Sequence, residues 1–364
     1  MVIYCADKIF TGKELLHNYA IVVDENNSIV DVLPQERLNK SVVKQQPVYQ
    51  LLVPSFIDIQ IYGAGEKLLS IYPETDTLYK LYDYCKSGGA SFFLPTVATN
   101  TYTVFYACID AVKQYWNEGG KGCLGLHIEG PWLNPAKRGA HIESYIHSPT
   151  VENVIQLLDY GKDVIKMITL APEVCTDEVI QFIQSHNIIV SAGHSNVTFK
   201  QANEAFDKGI HAVTHLYNAM SGLQHREPGL VGASFLHNSV MASIVADGYH
   251  VNFEAIKVAH KQMKGRLFCI TDAVTETKIG PYPHTKNGDK YTSNSILSGS
   301  ALTMAKALQN LVYQVDIEIE EALQMVSLYP AKVLGIDDTF GKIEKGYKAN
   351  FTALDNHLNV VSIL

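Results

Sequence analysis

Residues 188 to 220 read IIVSAGHSNVTFKQANEAFDKGIHAVTHLYNAM, and the succession of textures in that run leaves few folds open. Residues 188–192 form a short apolar, β-branched run that reads as a buried strand. Gly193-His194-Ser195 follows as a loop. Thr198 is a helix N-cap, and Gln201 three residues later completes a capping box. Ala202, Ala205 and Phe206 recur at helical spacing, and Gly209 suits the position after the helix. A second short strand, 212–214, ends at His215. Strand–helix–strand units make parallel neighbours, so His194 and His215 lie just past the C-terminal ends of two adjacent parallel strands. In an α/β barrel that rim carries the chemistry. A single His after a strand is more often an ordinary loop residue than a ligand. Two at equivalent positions of successive strands strengthen the ligand reading.

The same alternation extends on both sides. From Pro54 a strand at 56–61 is followed by a helix at 75–87, a strand at 91–94, a helix at 101–116 and a strand at 124–128. Helix 151–160, strand 165–170 and helix 176–185 lead into the unit above. Strand 243–246, helix 253–263, strand 267–270 and helices 302–315 and 319–328 follow it. About eight alternations fit a (β/α)8 TIM-like barrel. A doubly wound open sheet is the alternative, but no GxGxxG follows an early strand. Residues 1–53 are strand-like without a helix-length segment, and strand texture returns after Gly341 at 342–343, 350–354 and 360–364. One small sheet domain built from 1–53 and 341–364, beside a barrel of 54–340, is the expected organisation.

Bulk properties narrow the partners. A formal charge of -8 argues against nucleic-acid binding, which needs a basic surface. Cys5, Cys85, Cys108, Cys123, Cys175 and Cys269 are scattered without a CxxC pair, as in a reduced, cytoplasmic protein. The start, MVIYCADKIFTGKE, shows no basic leader before an apolar core, and no apolar run is long enough to span a bilayer.

The third piece of chemistry is LHIEGP, residues 126–131. Glu129 ends a strand on the same rim as the two histidines, giving a His2Glu set. That set suits Zn2+ or a similar ion and leaves a position for water. Such an ion acidifies water and polarises a carbonyl. The competing reading pairs Glu129 with Lys137 or Arg138. Asp272 ends the strand at 267–270 and is a candidate general base. Asp247, in ADGYH, competes for that role. His250 is a candidate donor to a substrate carbonyl, and His141 lies on the loop after Glu129. Arg226 in a polar loop suits a phosphate. Gly299-Ser300 offers backbone donors, or a plain helix cap.

Together, HIEGPWLNPAKRGAH, SAGHS, THLYNAM, REPGL, ADGYHV, TDA and SGSALTM resemble, in order and spacing, the N-acetylglucosamine-6-phosphate deacetylases of the amidohydrolase superfamily. The likeness runs from about Pro54 through GKIEKGYKANFTAL. It implies a barrel with a small β-sandwich made from both ends, a cytoplasmic homodimer, and a phosphosugar substrate. It also implies hydrolysis of the acetamide of N-acetyl-D-glucosamine 6-phosphate. By position, Glu129, His194 and His215 would hold one divalent ion, Zn2+ before Fe2+, Co2+ or Mn2+. Asp272 would be the acid/base and His250 would polarise the acetyl carbonyl. His141, Ala140, Leu297, Ser298 and Gly299 would line the sugar pocket. Asn218, Ala219 and Arg226 would hold the phosphate, Arg226 across the dimer interface.

Some positions depart from that family. Many amidohydrolases carry His-x-His on the first barrel strand; here it reads Gln60-Ile61-Tyr62, which argues for one ion. Deacetylases of the family that lack His-x-His commonly have Gln-x-Asn, so Tyr62 is unusual. Ser55, His225 and Tyr329 stand where Gly, Gly and Asn are usual. The remaining alternatives are an amidohydrolase acting on another N-acetylated amino-sugar phosphate or a cyclic amide, and, more remotely, a non-catalytic binding protein on the same barrel.

Overall fold

The structure is a computed structural model that describes residues 1–39, 46–293 and 295–364. Eight parallel strands run in chain order around a barrel: Phe56–Ile61, Ala90–Ala98, Leu126–Glu129, Ile165–Leu170, Ile189–Ala192, Ala212–Val213, Met241–Ile244 and Leu267–Cys269. Nearly every residue of these strands is buried, because helices cover the outside and side chains fill the inside. The ring closes between the ends of the first and eighth strands. Asp272 N donates to Gln60 O (3.0 Å) and Tyr62 N to Ala273 O (2.9 Å). Closure thus sets residues 60–62 beside Asp272, 210 positions later in the chain.

The local signals act as their chemistry requires. Thr198 accepts from Gln201 N while the Gln201 side chain accepts from Thr198 N, so the capping box forms at Phe199–Asp207. Thr75–Ser87, Val151–Tyr160 and Ile165–Leu170 have the expected bounds. Several bounds shift by a few residues, as at Met241–Ile244 and Leu126–Glu129, and three expectations differ in kind. Residues 319–328 break at Ser327 into Ile319–Val326 and Leu328–Leu334. Residues 342–343 are not a strand, although Ile343 N bonds Thr11 O. Gly299-Ser300 ends a strand rather than capping a helix; Thr303 caps Met304–Tyr313.

Both termini build one six-stranded sheet in the order Val360–Ile363, Phe351–Leu354, Val48–Pro54, Val2–Phe10, Leu15–Val23, Ile29–Pro34. Phe351 pairs with Pro54, and Ala6, Ile9, Ile21, Leu52 and Phe351 share a small core of their own. Ser55, at the junction, bonds Ser91 Oγ (2.5 Å) and Thr352 Oγ1 (3.1 Å), tying the sheet to the barrel. Elements that were not expected include a helix and a sheet. Gly229–Leu236 is a helix, and Thr285–Asn287, Lys290–Ser293 and Ile296–Ser300 form a three-stranded sheet after the last barrel strand. No helix of the described residues is long and apolar enough to cross a membrane.

Candidate metal centre and cavity

Strand alternation turns His127 and Glu129 to the same face of the third strand. His127 stays inside the barrel, where Nδ1 donates to Ile59 O (3.1 Å) and Nε2 accepts from Thr169 Oγ1 (2.8 Å). Burial brings its pKa down to about 4, so it is a neutral core histidine. Glu129, one pleat further, reaches the rim. Gly130 must follow it: at φ +82° a Cβ there would lie 2.0 Å from Thr99 Oγ1, whose hydroxyl holds the Glu129 carbonyl at 3.1 Å.

His194, His215 and Asp272 each follow a strand, and each has positive φ: 48°, 36° and 53°. Left-handed backbone at a non-glycine residue costs about 1–3 kcal/mol. Here it falls where the fifth, sixth and eighth strands end, and the three side chains reach one rim. His215 Nε2 lies 3.0 Å from Glu129 Oε1, His194 Nε2 lies 3.3 Å from the same oxygen, and the two imidazole nitrogens are 3.1 Å apart. All three residues are buried.

The His194 tautomer is fixed by its surroundings. Its Nδ1 donates to the Lys137 carbonyl (2.9 Å), because a carbonyl only accepts. Burial first, then His141, takes His194 down to about 4. A neutral His194 therefore points a lone pair at a carboxylate oxygen. For Glu129, burial favours the neutral acid, but His194 and His141 outweigh it and hold the carboxyl well below its ordinary range. For His215, burial pulls the pKa down but Glu129 outweighs it and raises it; a divalent cation takes that proton's place beside the ionised carboxylate. Donors of a tetrahedral Zn2+ lie about 3.4 Å apart, given bonds of about 2.0–2.1 Å. The donor set fits a divalent ion in type and spacing. A second set, Glu129, His141 and His194, has its donor atoms within 4.8 Å of one another and shares two members with the first. His141 Nε2 faces the other carboxylate oxygen, Oε2, at 3.2 Å. Of the expected alternative partners of Glu129, Arg138 is occupied elsewhere: it bonds the His141 carbonyl and pairs with Glu143.

Asp272 and Asp247 separate clearly. Asp247 Oδ1 accepts from the backbone of Tyr249 and His250, and Oδ2 accepts from His250 Nδ1 (2.6 Å). It is a positioning group for His250. Asp272 lines the cavity, and its Oδ1 accepts from Gln60 Nε2 (2.9 Å). Its Oδ2 lies 3.9 Å from His250 Nε2. Burial raises the Asp272 carboxyl; Glu129 and Asp247 add to this, against His215 and His250. A carboxyl so placed both accepts and returns a proton more readily than an exposed one.

These groups line a cavity of about 180 Å3. Ala140, His141, Asn218, Ala219, His250, Leu297 and Ser298 face it. Two expected residues do not. Arg226 is exposed on its loop, and Gly299 supplies only backbone beside Val274. Lining residues outside the expected set include Tyr62, Tyr282 and His284. Tyr282 donates to Thr99 O, and His284 Nδ1 shares a hydrogen bond with Ser298 Oγ (2.8 Å). Only the Gln60-Ile61-Tyr62 departure signalled one of them in advance.

The Amidohydrolase family model matches residues 51–362, and the NagA composite domain model matches residues 5–46. The chain is 34% identical to an N-acetylglucosamine-6-phosphate deacetylase of Haemophilus influenzae, over 97% of this chain and 95% of that one. It is 32% identical to an N-acetylgalactosamine-6-phosphate deacetylase of Escherichia coli O157:H7, over 86% of each. A crystal structure of N-acetylglucosamine-6-phosphate deacetylase from Pasteurella multocida superposes with a TM-score of 0.92 at 32% identity, covering 100% of this chain and 98% of that one.

Proposed function

The chain belongs to the amidohydrolase family, and from that premise we propose that it hydrolyses the acetamide of N-acetyl-D-glucosamine 6-phosphate to D-glucosamine 6-phosphate and acetate. The observation that carries this reading is the convergence of Glu129, His194 and His215 on one rim of a cavity that Asp272 and His250 also face. In this reading the three hold one divalent ion per chain, Zn2+ by donor type. When bound, such an ion supplies Lewis acidity toward the acetyl oxygen and makes water a competent nucleophile near neutral pH.

The side chains divide the remaining work. Asp272 Oδ1 is held by Gln60, so Oδ2 is the atom that takes the proton from attacking water. The same oxygen returns it to the amine nitrogen as the C–N bond breaks. His250 Nδ1 is committed to Asp247, so its Nε2 carries a proton only as imidazolium. In that form it donates to the developing oxyanion. His141, Ala140, Leu297 and Ser298 surround the sugar. Asn218 and the Ala219 backbone take the phosphate. Arg226, exposed and away from its own cavity, serves the cavity of a second copy in a homodimer.

The catalytic unit in this reading is the barrel of residues 54–340, supported by the sheet of 1–53 and 341–364. Six free cysteines, five of them buried, support a reducing, cytoplasmic setting. The E. coli relative favours one second reading: the 4-epimer, N-acetylgalactosamine 6-phosphate, as substrate. The test is acetate release from both sugar phosphates by protein as purified, after chelation, and after adding back Zn2+. Activity lost and restored at one ion per chain is expected. Ion binding without turnover of either sugar overturns the substrate assignment.

A further inference from the structure

Tyr62 is the one departure from the family pattern that enters the centre itself. Its side chain lines the cavity, and its hydroxyl has two close neighbours. Gln60 Nε2 lies 2.7 Å away and Glu129 Oε2 2.5 Å away. The direction of both bonds follows from the acceptors. The Gln60 amide nitrogen also faces Glu129 Oε1 (3.2 Å) and Asp272 Oδ1 (2.9 Å), which only accept, so that nitrogen is the NH2 group. The Tyr62 oxygen therefore accepts from Gln60, and its own proton goes to Glu129 Oε2.

We propose that Tyr62 is a positioning residue of the ion centre: its hydroxyl commits Glu129 Oε2, so the carboxylate offers Oε1 alone and the centre holds a single ion. His194 and His215 both crowd Oε1, while Tyr62 and His141 share Oε2. A carboxylate that bridges two ions, or chelates one, needs both oxygens free. Here the second oxygen is capped by a donor on a rigid ring, anchored on the residue that closes the barrel. A hydrogen-bonded ligand partner of this kind changes ion affinity by about 10–100-fold when removed. Asparagine at this position is too short to span from the first strand to Glu129 as the phenol does.

The inference rests on the ion-dependent reading above, and ion binding tests it without using turnover. Chelator-stripped full-length protein is titrated with Zn2+ and, separately, with Co2+, whose visible spectrum reports coordination number. The wild-type chain should bind one ion. Tyr62→Phe should bind it about 10–100-fold more weakly and shift the Co2+ bands toward higher coordination, as Oε2, left facing His141 Nε2 alone, becomes available to the ion. Tyr282→Phe removes another buried cavity hydroxyl, one that donates to Thr99 O and not to Glu129, and should match wild type in both readouts. Should Tyr62→Phe fail to fold, Tyr62→Leu is read the same way. Unchanged affinity and spectrum in the Tyr62 variant, equal losses in both tyrosine variants, or two ions in the wild type would each overturn the proposal. No ion in the wild type would instead bring down the ion-dependent reading on which it stands.

Discussion

In the proposed reaction Asp272 has two duties with opposite needs. It must be ionised to take a proton and protonated to return one. Burial that raises its carboxyl narrows the gap between the two states. Asp272→Asn should lower kcat by about 10²–10⁴-fold with KM and ion content nearly unchanged, since general acid–base help is of that size. Steady-state acetate release and metal analysis check both parts. The ionised form starts the reaction, so kcat/KM is lost as pH falls through the raised value. The Asn variant should lack the acid limb that Asp272 gives the wild type. Asp58 shows the same physics away from the reaction. Burial pushes it up to about 6, although Thr271 and Gln60 donate to it. Its folded form binds a proton more tightly than the unfolded chain does, near 3.9. The stabilisation this gives is full below about pH 4 and is lost as pH rises through about 6. Asp58→Asn should thus gain on wild type by about 2–3 kcal/mol between pH 4 and pH 7.5. Paired denaturant titrations measure that difference, and no gain would mean Asp58 ionises without penalty. At this scale the sequence revealed the residues that follow apolar strands, because strand ends point at the rim. From the residues alone it gave Asp272, which directly follows its apolar strand, only a slight preference over Asp247. That choice turns on which carboxylate already has partners, and only the folded loop answers it.

Elements were legible where their signals were local. Thr198 with Gln201 announced a helix start, and the capping box formed. Thr198→Ala should cost about 1 kcal/mol, seen as a lower denaturant midpoint with no change in ion content. An unaltered midpoint would show that packing of Ala202, Ala205 and Phe206 alone holds the helix. The helix Gly229–Leu236 has no such local signal. GLVGASFL is buried on seven of eight positions, so it has no polar face to set a period. The Thr285–Ser300 sheet was hidden by polarity. Thr285-Lys286-Asn287 is exposed at every position and lacks the alternation of a half-buried strand. This sheet brings His284 and Ser298 to the cavity, so missing the element meant missing His284.

Contacts between distant parts of the chain lay beyond any local pattern. Gln60 and Asp272 touch only because the first and eighth strands close the ring. The sheet from both termini rests on pairing such as Phe351 with Pro54. Arg226 poses the same question between molecules. It is exposed in its own chain, while the cavity holds Asn218 and Ala219 and no arginine among its lining residues. A phosphate in that cavity needs charge from elsewhere, and a two-fold dimer can supply it reciprocally. Arg226→Ala should therefore raise KM for the sugar phosphate much more than it lowers kcat. The decisive measurement mixes that variant with Asp272→Asn under conditions that exchange subunits. In a mixed dimer, the chain with intact Asp272 receives Arg226 from its neighbour, and one cavity is complete. Random pairing then restores about one site in four. If Arg226 served its own chain, neither cavity of the mixed dimer would be complete and no activity would return.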